Sequence, residues 1–337
     1  MKKVLVTGAN GHLGYNLTRL LVDDGYQVRV SVRDKNNSEK TKHLQNLGVE
    51  IVEADIMNPQ TLKKAMREVD GVFHVAAVYN LTAKNPERDV KEPIITGGLN
   101  VLEAAKEEGV RKVVFTSSIV ALGTVASGDL PLTEENWNDR AIEPYAQAKT
   151  EVEKRAWEFA AKNQLNMVAI LPSAMTGPGF YRHTPSTEGF ERLLRGQVPF
   201  ILPLTLEFVD VRDVARAHIL AYENDRASGR YIASHSSLSM ADLYKMIQEI
   251  DPEIKIPSRT LPQGLLTMVP LLDWLGNKLT NMPRFATREF IKEYGYREQS
   301  VSNSRAKTEL GWEPIPLQES IRDTVAWVKA TFIERAV

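Results

Sequence analysis

Thr7-Gly8-Ala9-Asn10-Gly11-His12-Leu13-Gly14 decides the fold of this 337-residue chain. Residues 2–6, ahead of it, read as a short apolar strand, and a helical pattern begins inside it. Gly8, Gly11 and Gly14 stand three apart. A strand, a glycine turn and a helix in that order let the backbone approach a pyrophosphate closely. The free N–H groups and positive end of the helix then face the phosphates. Leu13, Leu17, Leu20 and Leu21 give the helix one apolar face to lay on a sheet. A glycine-rich turn that binds nothing is the competing reading; the strand before and the amphipathic helix after weigh against it. Within the turn, Thr7, Gly8, Asn10, Gly11, His12, Leu13 and Gly14 are the candidate dinucleotide contacts, with the His12 side chain read as pointing away.

Outward from the turn, apolar strands and helices alternate. Strands are predicted over residues 27–32, 49–53, 71–75, 112–116 and 167–171, and helices over 39–47, 61–69, 92–108 and 144–162. Such alternation implies α/β architecture: a parallel sheet covered on both faces, with ligands at the carboxyl ends of its strands. Asp55, Ala76-Ala77, Ser117-Ser118 and Pro172-Ser173 all lie just past predicted strand ends and so converge on one crevice. Residues 1–171 read as a dinucleotide-binding domain. A helix over 210–223 and a strand over 229–233 return to it within residues 207–233. Residues 172–206 and 234–337 read as a smaller, mainly helical substrate lobe. Its last helix carries Ile321, Val325, Val328 and Phe332 on one face and should dock.

Composition narrows the partners. There are 42 basic and 43 acidic residues, a net charge of −1, which does not suit nucleic acid or an anionic membrane. The chain has no cysteine, which excludes thiol catalysis and cysteine metal ligands and fits a reducing cytoplasm. The start does not read as a signal peptide, because its apolar run is only Val4-Leu5-Val6. The apolar stretch at 261–275 is broken by Pro262, Gly264 and Pro270 and holds Asp273, so it does not read as a membrane span. No metal site is expected.

Tyr145 and Lys149, four apart after Pro144, share one face of a predicted helix. A nearby ammonium favours phenolate, so the expectation is a phenol with a lowered pKa. Thr116, Ser117 and Ser118 end the fifth predicted strand, where a hydroxyl can hydrogen-bond a carbonyl oxygen held in the crevice. No Gly-x-Ser-x-Gly elbow surrounds them, which argues against a serine-hydrolase triad. His74 reads as a buried structural residue.

These motifs together resemble the extended short-chain dehydrogenase/reductase family. The resemblance continues through Phe208-Val-Asp-Val-Arg-Asp-Val-Ala-Arg-Ala-His218 and Leu310-Gly-Trp-Glu-Pro314 and so covers nearly the whole chain. Val28-Arg-Val-Ser-Val-Arg-Asp34, Glu135-Asn-Trp137 and Gly229-Arg-Tyr-Ile232 are most similar to the dihydroflavonol reductase and cinnamoyl-CoA reductase branch, with its bacterial aldehyde-reductase relatives. The resemblance implies a Rossmann-type doubly wound sheet and an NADP(H)-dependent carbonyl reductase. It assigns Tyr145 as proton donor, Ser118 (with Ser117 as the fallback) as the partner of the carbonyl oxygen, and Lys149 as the holder of the nicotinamide ribose. Asp55 and Ile56 match the family's adenine contact. Ala76, Ala77, Tyr145, Lys149, Pro172 and Ser173 complete the implied cofactor set. Pro93-Ile-Ile-Thr-Gly-Gly98 departs from the run that sugar-modifying relatives carry, and no structural asparagine is carried over from it.

Cofactor choice turns on the end of the second strand. Arg33 and Lys40 match the branch's positions for the 2′-phosphate of NADP. Asp34 lies 20 residues past Gly14, where an acid would hold the ribose of NAD, and is read here as capping the following turn. Val78, Tyr79, Met175 and Tyr181 are the substrate-pocket candidates, with Phe180 also in reach and Leu122 and Phe200 read as core. The expected partner is a small, apolar or aromatic aldehyde or ketone, and a homodimer is admitted. A nucleotide-sugar epimerase or dehydratase, a hydroxysteroid-type dehydrogenase and a non-catalytic dinucleotide sensor are the alternatives.

Overall fold

The structure is a computed structural model and describes residues 2–80, 82–182, 184–280, 284 and 286–334. Among the described residues there are ten strands: β1 (Lys3–Thr7), β2 (Gln27–Val32), β3 (Glu50–Glu53), β4 (Gly71–His74), β5 (Lys112–Thr116), β6 (Met167–Pro172), β7 (Ala174–Thr176), β8 (Thr205–Asp210), β9 (Gly229–Ala233) and β10 (Ser236–Ser239). Seven form one parallel sheet in the order β3-β2-β1-β4-β5-β6-β9. The direction of winding reverses at β1, which opens a crevice at the carboxyl ends of β1 and β4.

Helices cover both faces. The first half of the chain supplies α1 (His12–Asp23), α2 (Ser38–Gln45), α3 (Pro59–Met66), α4 (Glu92–Glu107) and α5 (Pro144–Asn163). The second half supplies α6 (Pro185–Leu194), α7 (Val211–Glu223), α8 (Met240–Ile250), α9 (Val269–Thr280), α10 (Arg288–Tyr294), α11 (Ser304–Leu310) and α12 (Leu317–Val328). Side chains alternate across β1, and the core divides accordingly. Val4 and Val6 join Leu13, Leu17 and Leu21 of α1 and Val214 and Ile219 of α7. Leu5 faces the opposite layer, with Leu62, Met66, Val101, Leu102 and Val152 from α3, α4 and α5.

β9 pairs with β6 at the sheet edge. α7 packs on α1, starting one residue later than predicted because Asp210 is its cap: the Asp210 carboxylate accepts the Arg212 N–H at 2.8 Å. The Trp312 ring of the Leu310–Pro314 motif is fully buried, and its Nε1–H donates to the Asp213 carbonyl at 2.8 Å, which docks the C-terminal segment on α7.

The second half is less purely helical than predicted. β10, β8 and β7 form a three-stranded sheet. It packs with α6, α8 and α12 around Phe190, Phe208, Leu243 and Ile247. Periodicity could not find these strands, because β7 is three residues long and β10 reads Ser-Ser-Leu-Ser. Ile321, Val325 and Val328 are buried in that core, with Phe332 packed against it. Leu122 is buried as expected, but Phe200 is not core: it is 43% exposed. Among the described residues no helix is long and apolar enough to cross a membrane, and no acid/histidine cluster could hold a metal.

Candidate active site

The crevice at the carboxyl ends of the strands encloses about 950 Å³. Its floor is the glycine turn, where the three glycines serve different needs. Gly8 has φ +71°, and a Cβ there would lie 2.7 Å from Ala76 Cα; a Cβ on Gly14 would lie 2.1 Å from the Gly8 carbonyl oxygen. Those two are required by the packing of the turn itself. A Cβ on Gly11 would meet only the Gly8 carbonyl, at 3.3 Å. Gly11 is the N-cap of α1, and no side chain caps that helix end. The open space and the uncapped N–H groups fit a phosphate-bearing group.

Thr7 stands behind the turn instead of lining it. Its Oγ1 hydrogen-bonds His74 Nδ1 at 2.9 Å and accepts the N–H groups of Val75 and Ala76, both at 3.2 Å. Thr7 therefore ties β1 to the exit of β4 and aims Ala76 and Ala77 along the crevice, a supporting role where direct contact was expected. His74 is structural, held neutral by burial that pushes it down to about 3. His12 turns away from the phosphate position, as read: Nε2–H donates to the Pro178 carbonyl at 3.3 Å, and the ring stacks on Phe180 and Trp327.

At the end of β2, Arg33 and Lys40 line the crevice, and Arg33 has no ion pair among the described residues. Asp34 does not line it; its Oδ1 accepts the Asn36 N–H at 2.9 Å and so caps the turn. Asp55 and Ile56 stand opposite. The Ile56 carbonyl is held by Asn100 of α4, whose Nδ2 donates at 2.9 Å. A structural asparagine is thus present after all, two positions beyond the run in which it was sought.

β5 delivers the three hydroxyls to three different places. His218 Nδ1–H donates to the Val214 carbonyl at 2.8 Å, which leaves Nε2 to accept the Thr116 hydroxyl at 2.8 Å. The Ser117 hydroxyl donates to Glu153 at 2.6 Å. Ser118 is the one of the three whose hydroxyl acts on the Tyr145 phenol, and it donates to the Pro172 carbonyl at 3.4 Å. Glu143 caps α5 by accepting the Ala146 N–H at 2.9 Å, and Pro144 occupies the first turn, so Tyr145 points into the crevice. The Tyr79 ring meets that of Tyr145 edge-on at 4.8 Å.

The expected lowering of the Tyr145 pKa is not found. Burial, with Tyr79 and Glu143 adding to it, holds the phenol well above its ordinary range. Lys149 does not overcome this. Its Nζ donates to the Thr116 carbonyl at 2.9 Å and lies 5.9 Å from the centre of the Tyr145 ring. Burial also pushes Lys149 itself down to about 8, partly offset by Glu153. The resting site holds a protonated phenol beside a lysine that titrates in the mildly alkaline range.

Val78, Tyr79 and Met175 line the far end, and Pro172 and Ser173 the wall between. Tyr181 does not join them: its hydroxyl donates to the Lys40 carbonyl at 3.2 Å, and its ring stacks on His43 at 3.8 Å, over α2. Several crevice residues carried no usable sequence signal, among them Glu143, Arg182, Phe290, Tyr294 and Gln299. Arg182 lies in an irregular segment and donates to the Asn10 carbonyl. Phe290 and Tyr294 are an i,i+4 pair on the short α10, tied to the approach of α5 by Glu293, which accepts the Ile142 N–H at 2.6 Å and Asn138 Nδ2 at 2.9 Å. Two of the resemblance motifs prove to be one contact. Arg230 pairs with buried Glu153 at 2.7 Å and lies 3.8 Å over the Trp137 ring.

A seven-stranded parallel sheet with this turn and crevice defines a dinucleotide-binding fold. Residues 4–233 match the profile of the NAD dependent epimerase/dehydratase family, and the chain belongs to that family. Within it the chain is dihydroflavonol reductase-like. It is 33% identical over 274 residues to a bifunctional dihydroflavonol 4-reductase/flavanone 4-reductase of Malus domestica, covering 77% of this chain and 79% of that one. It is 31% identical over 321 residues to an anthocyanidin reductase of Arabidopsis thaliana, covering 88% and 92%. The crystal structure of Gre2 from Candida albicans in complex with NADPH superposes with a TM-score of 0.77 at 25% identity, over 98% of this chain and 100% of that one.

Because Gly11 alone of the three glycines has room on the protein side, Gly11→Val is expected to fold and yet lose dinucleotide affinity. Cofactor titration by tryptophan fluorescence, with circular dichroism as the folding check, measures this. An unchanged dissociation constant in the folded variant would mean that the turn does not hold the pyrophosphate.

Proposed function

We propose that this protein is an NADPH-dependent reductase of small aldehydes or ketones, with Tyr145 as proton donor. The observation that carries the reading is a protonated phenol, Tyr145, lining with Ser118 and Lys149 a crevice whose rim presents Arg33 and Lys40 and turns Asp34 away. When bound, NADPH supplies hydride to the carbonyl carbon. Ser118 hydrogen-bonds the carbonyl oxygen and orients it, and Tyr145 Oη–H gives that oxygen its proton. The product is an alcohol, and Tyr145 is left as phenolate until solvent returns a proton.

The Lys149 ammonium acts chiefly at that moment. Burial outweighs this cation in setting the phenol's pKa, but the ammonium still favours phenolate as charge develops, and it offers donors to the ribose hydroxyls of the nicotinamide. Arg33 and Lys40 receive the 2′-phosphate, and the glycine turn the pyrophosphate. Val78, Tyr79 and Met175 bound the substrate. NADPH oxidation followed by absorbance across a panel of aldehydes and ketones tests the reading. Turnover of at least one class supports it, and none with any carbonyl rejects it.

Lys149 also gives the reading a pH dependence. With its pKa depressed to about 8, the side chain is charged below that pH and neutral above it. NADPH affinity of the free enzyme should therefore weaken as pH rises through about 8, and kcat/KM should fall with it. In Lys149→Met the affinity is lower throughout, and that alkaline limb is gone. A limb that survives unchanged in Lys149→Met would assign the titration to another group.

A further inference from the structure

The substrate end of the crevice carries two polar groups without a protein partner among the described residues. Gln299 is 8% exposed and Tyr294 6%, and both line the crevice. Gln299 is fixed in orientation. Its backbone N–H donates to the Thr205 carbonyl at 3.2 Å, its carbonyl accepts the Ser237 hydroxyl at 3.1 Å, and its side-chain Oε1 accepts the Glu207 N–H at 3.2 Å. The amide oxygen is thereby committed, and the Nε2 donors have no partner among the described residues. The Tyr294 hydroxyl has none either. Burial, with Glu143 and Glu293 nearby, holds Tyr294 far above its ordinary pKa, so it too is a donor.

The charges around this end exclude an anionic ligand. Lys149 is engaged with the Thr116 carbonyl at 2.9 Å, and Arg88 is paired with Asp89 at 2.8 Å. Arg33, Lys40 and Arg182 belong to the dinucleotide side. Glu143 adds a carboxyl to the lining. The remaining wall is apolar or aromatic: Val78, Tyr79, Met175, Leu206 and Phe290.

We infer that Gln299 and Tyr294 are specificity-determining residues that recognise a second, uncharged oxygen on the substrate, so that the preferred substrate is a neutral oxygenated ketone or aldehyde and not a plain hydrocarbon carbonyl. The inference rests on the reductase reading and narrows it. A buried donor left unpaired by an oxygen-free substrate has lost its water without replacement, so a site built this way discriminates against the deoxy analogue.

The test uses ketone pairs of matched size that differ in one oxygen-bearing position: chroman-4-one against 1-tetralone, 4-methoxy-2-butanone against 2-hexanone, and 4-(4-methoxyphenyl)-2-butanone against its 4-ethylphenyl counterpart. The wild-type protein should favour the oxygenated member of at least one pair by about tenfold or more in kcat/KM. Gln299→Glu keeps an oxygen for the Glu207 N–H but removes the donor, and Tyr294→Phe removes the other; NADPH titration and circular dichroism verify both variants. Loss of most of the preference in either variant supports the inference. A wild-type ratio within about twofold for every pair, or a preference that survives in both variants, overturns it and leaves the reductase reading standing. A wild type that reduces none of the panel overturns that reading, and this inference with it.

Discussion

Tyr145→Phe is expected to lower kcat for a reducible aldehyde or ketone by at least about 100-fold while the protein still binds NADPH, because general acid catalysis supplies roughly 10²–10⁴-fold. The substitution removes one oxygen from a partly buried ring and leaves the edge-on contact with Tyr79 in place. Folding should therefore survive, and circular dichroism checks that. Tyr145 is fully protonated at neutral pH, so the wild type always has the proton to give and the variant never does. Lys149→Met should behave differently, losing both turnover and NADPH affinity, because the ammonium is proposed to serve both the ribose and the developing phenolate. Steady-state kinetics beside a binding titration separates the two patterns. A folded Tyr145→Phe protein with near-normal kcat would remove Tyr145 from the mechanism.

Arg33→Ala is expected to erase most of a preference for NADPH over NADH that in the wild type reaches about tenfold or more. The 2′-phosphate exists only on NADP(H), and Arg33 is exposed at the crevice rim with no carboxylate to hold it among the described residues. A planar guanidinium can grip two phosphate oxygens, and a hydrogen bond to a charged group is worth roughly 1.5–3 kcal/mol, or about 10–100-fold in affinity. The loss should fall on NADPH use, with NADH use little changed, and the preference should shrink as salt rises. Asp34→Ala should be nearly silent, because its carboxylate caps the Asn36 turn and does not line the crevice. A wild type that prefers NADH, with Arg33→Ala silent and Asp34→Ala damaging, would reverse the assignment.

The sheet was legible because its determinants are local. A parallel strand buried on both faces must be a short apolar run, and Val4-Leu5-Val6, Val113-Val114-Phe115 and Val168-Ala169-Ile170-Leu171 are such runs. The glycine turn and the Tyr145/Lys149 pair were legible for a related reason: backbone clearance and one helical turn impose fixed spacings. What stayed hidden depends on contacts between distant segments. No spacing reveals that Glu153, Arg230 and Trp137 meet, since the pair is 77 residues apart in sequence. Gln299 enters the crevice from an irregular segment near the C-terminus, and Tyr181 leaves the substrate end because α2 offers it His43. The charge states misled for a physical reason as well. Spacing brings Lys149 near Tyr145, but spacing does not encode desolvation, and burial outweighs the neighbouring charge.

The central claim is net hydride transfer from NADPH to a carbonyl, and isotopic labelling tests it most directly. The protein is incubated with NADPH carrying deuterium at the transferable C4 position and with an aldehyde or ketone that it turns over, and the product is analysed by mass spectrometry and NMR. The account predicts an alcohol with one deuterium on its carbinol carbon and one NADP⁺ formed for each alcohol. Family members that keep NAD bound and return the hydride to the same molecule would give another outcome. Tightly bound NAD in the purified protein, isomerisation of a nucleotide sugar, and labelled NADPH left unconsumed with every carbonyl offered would contradict the account.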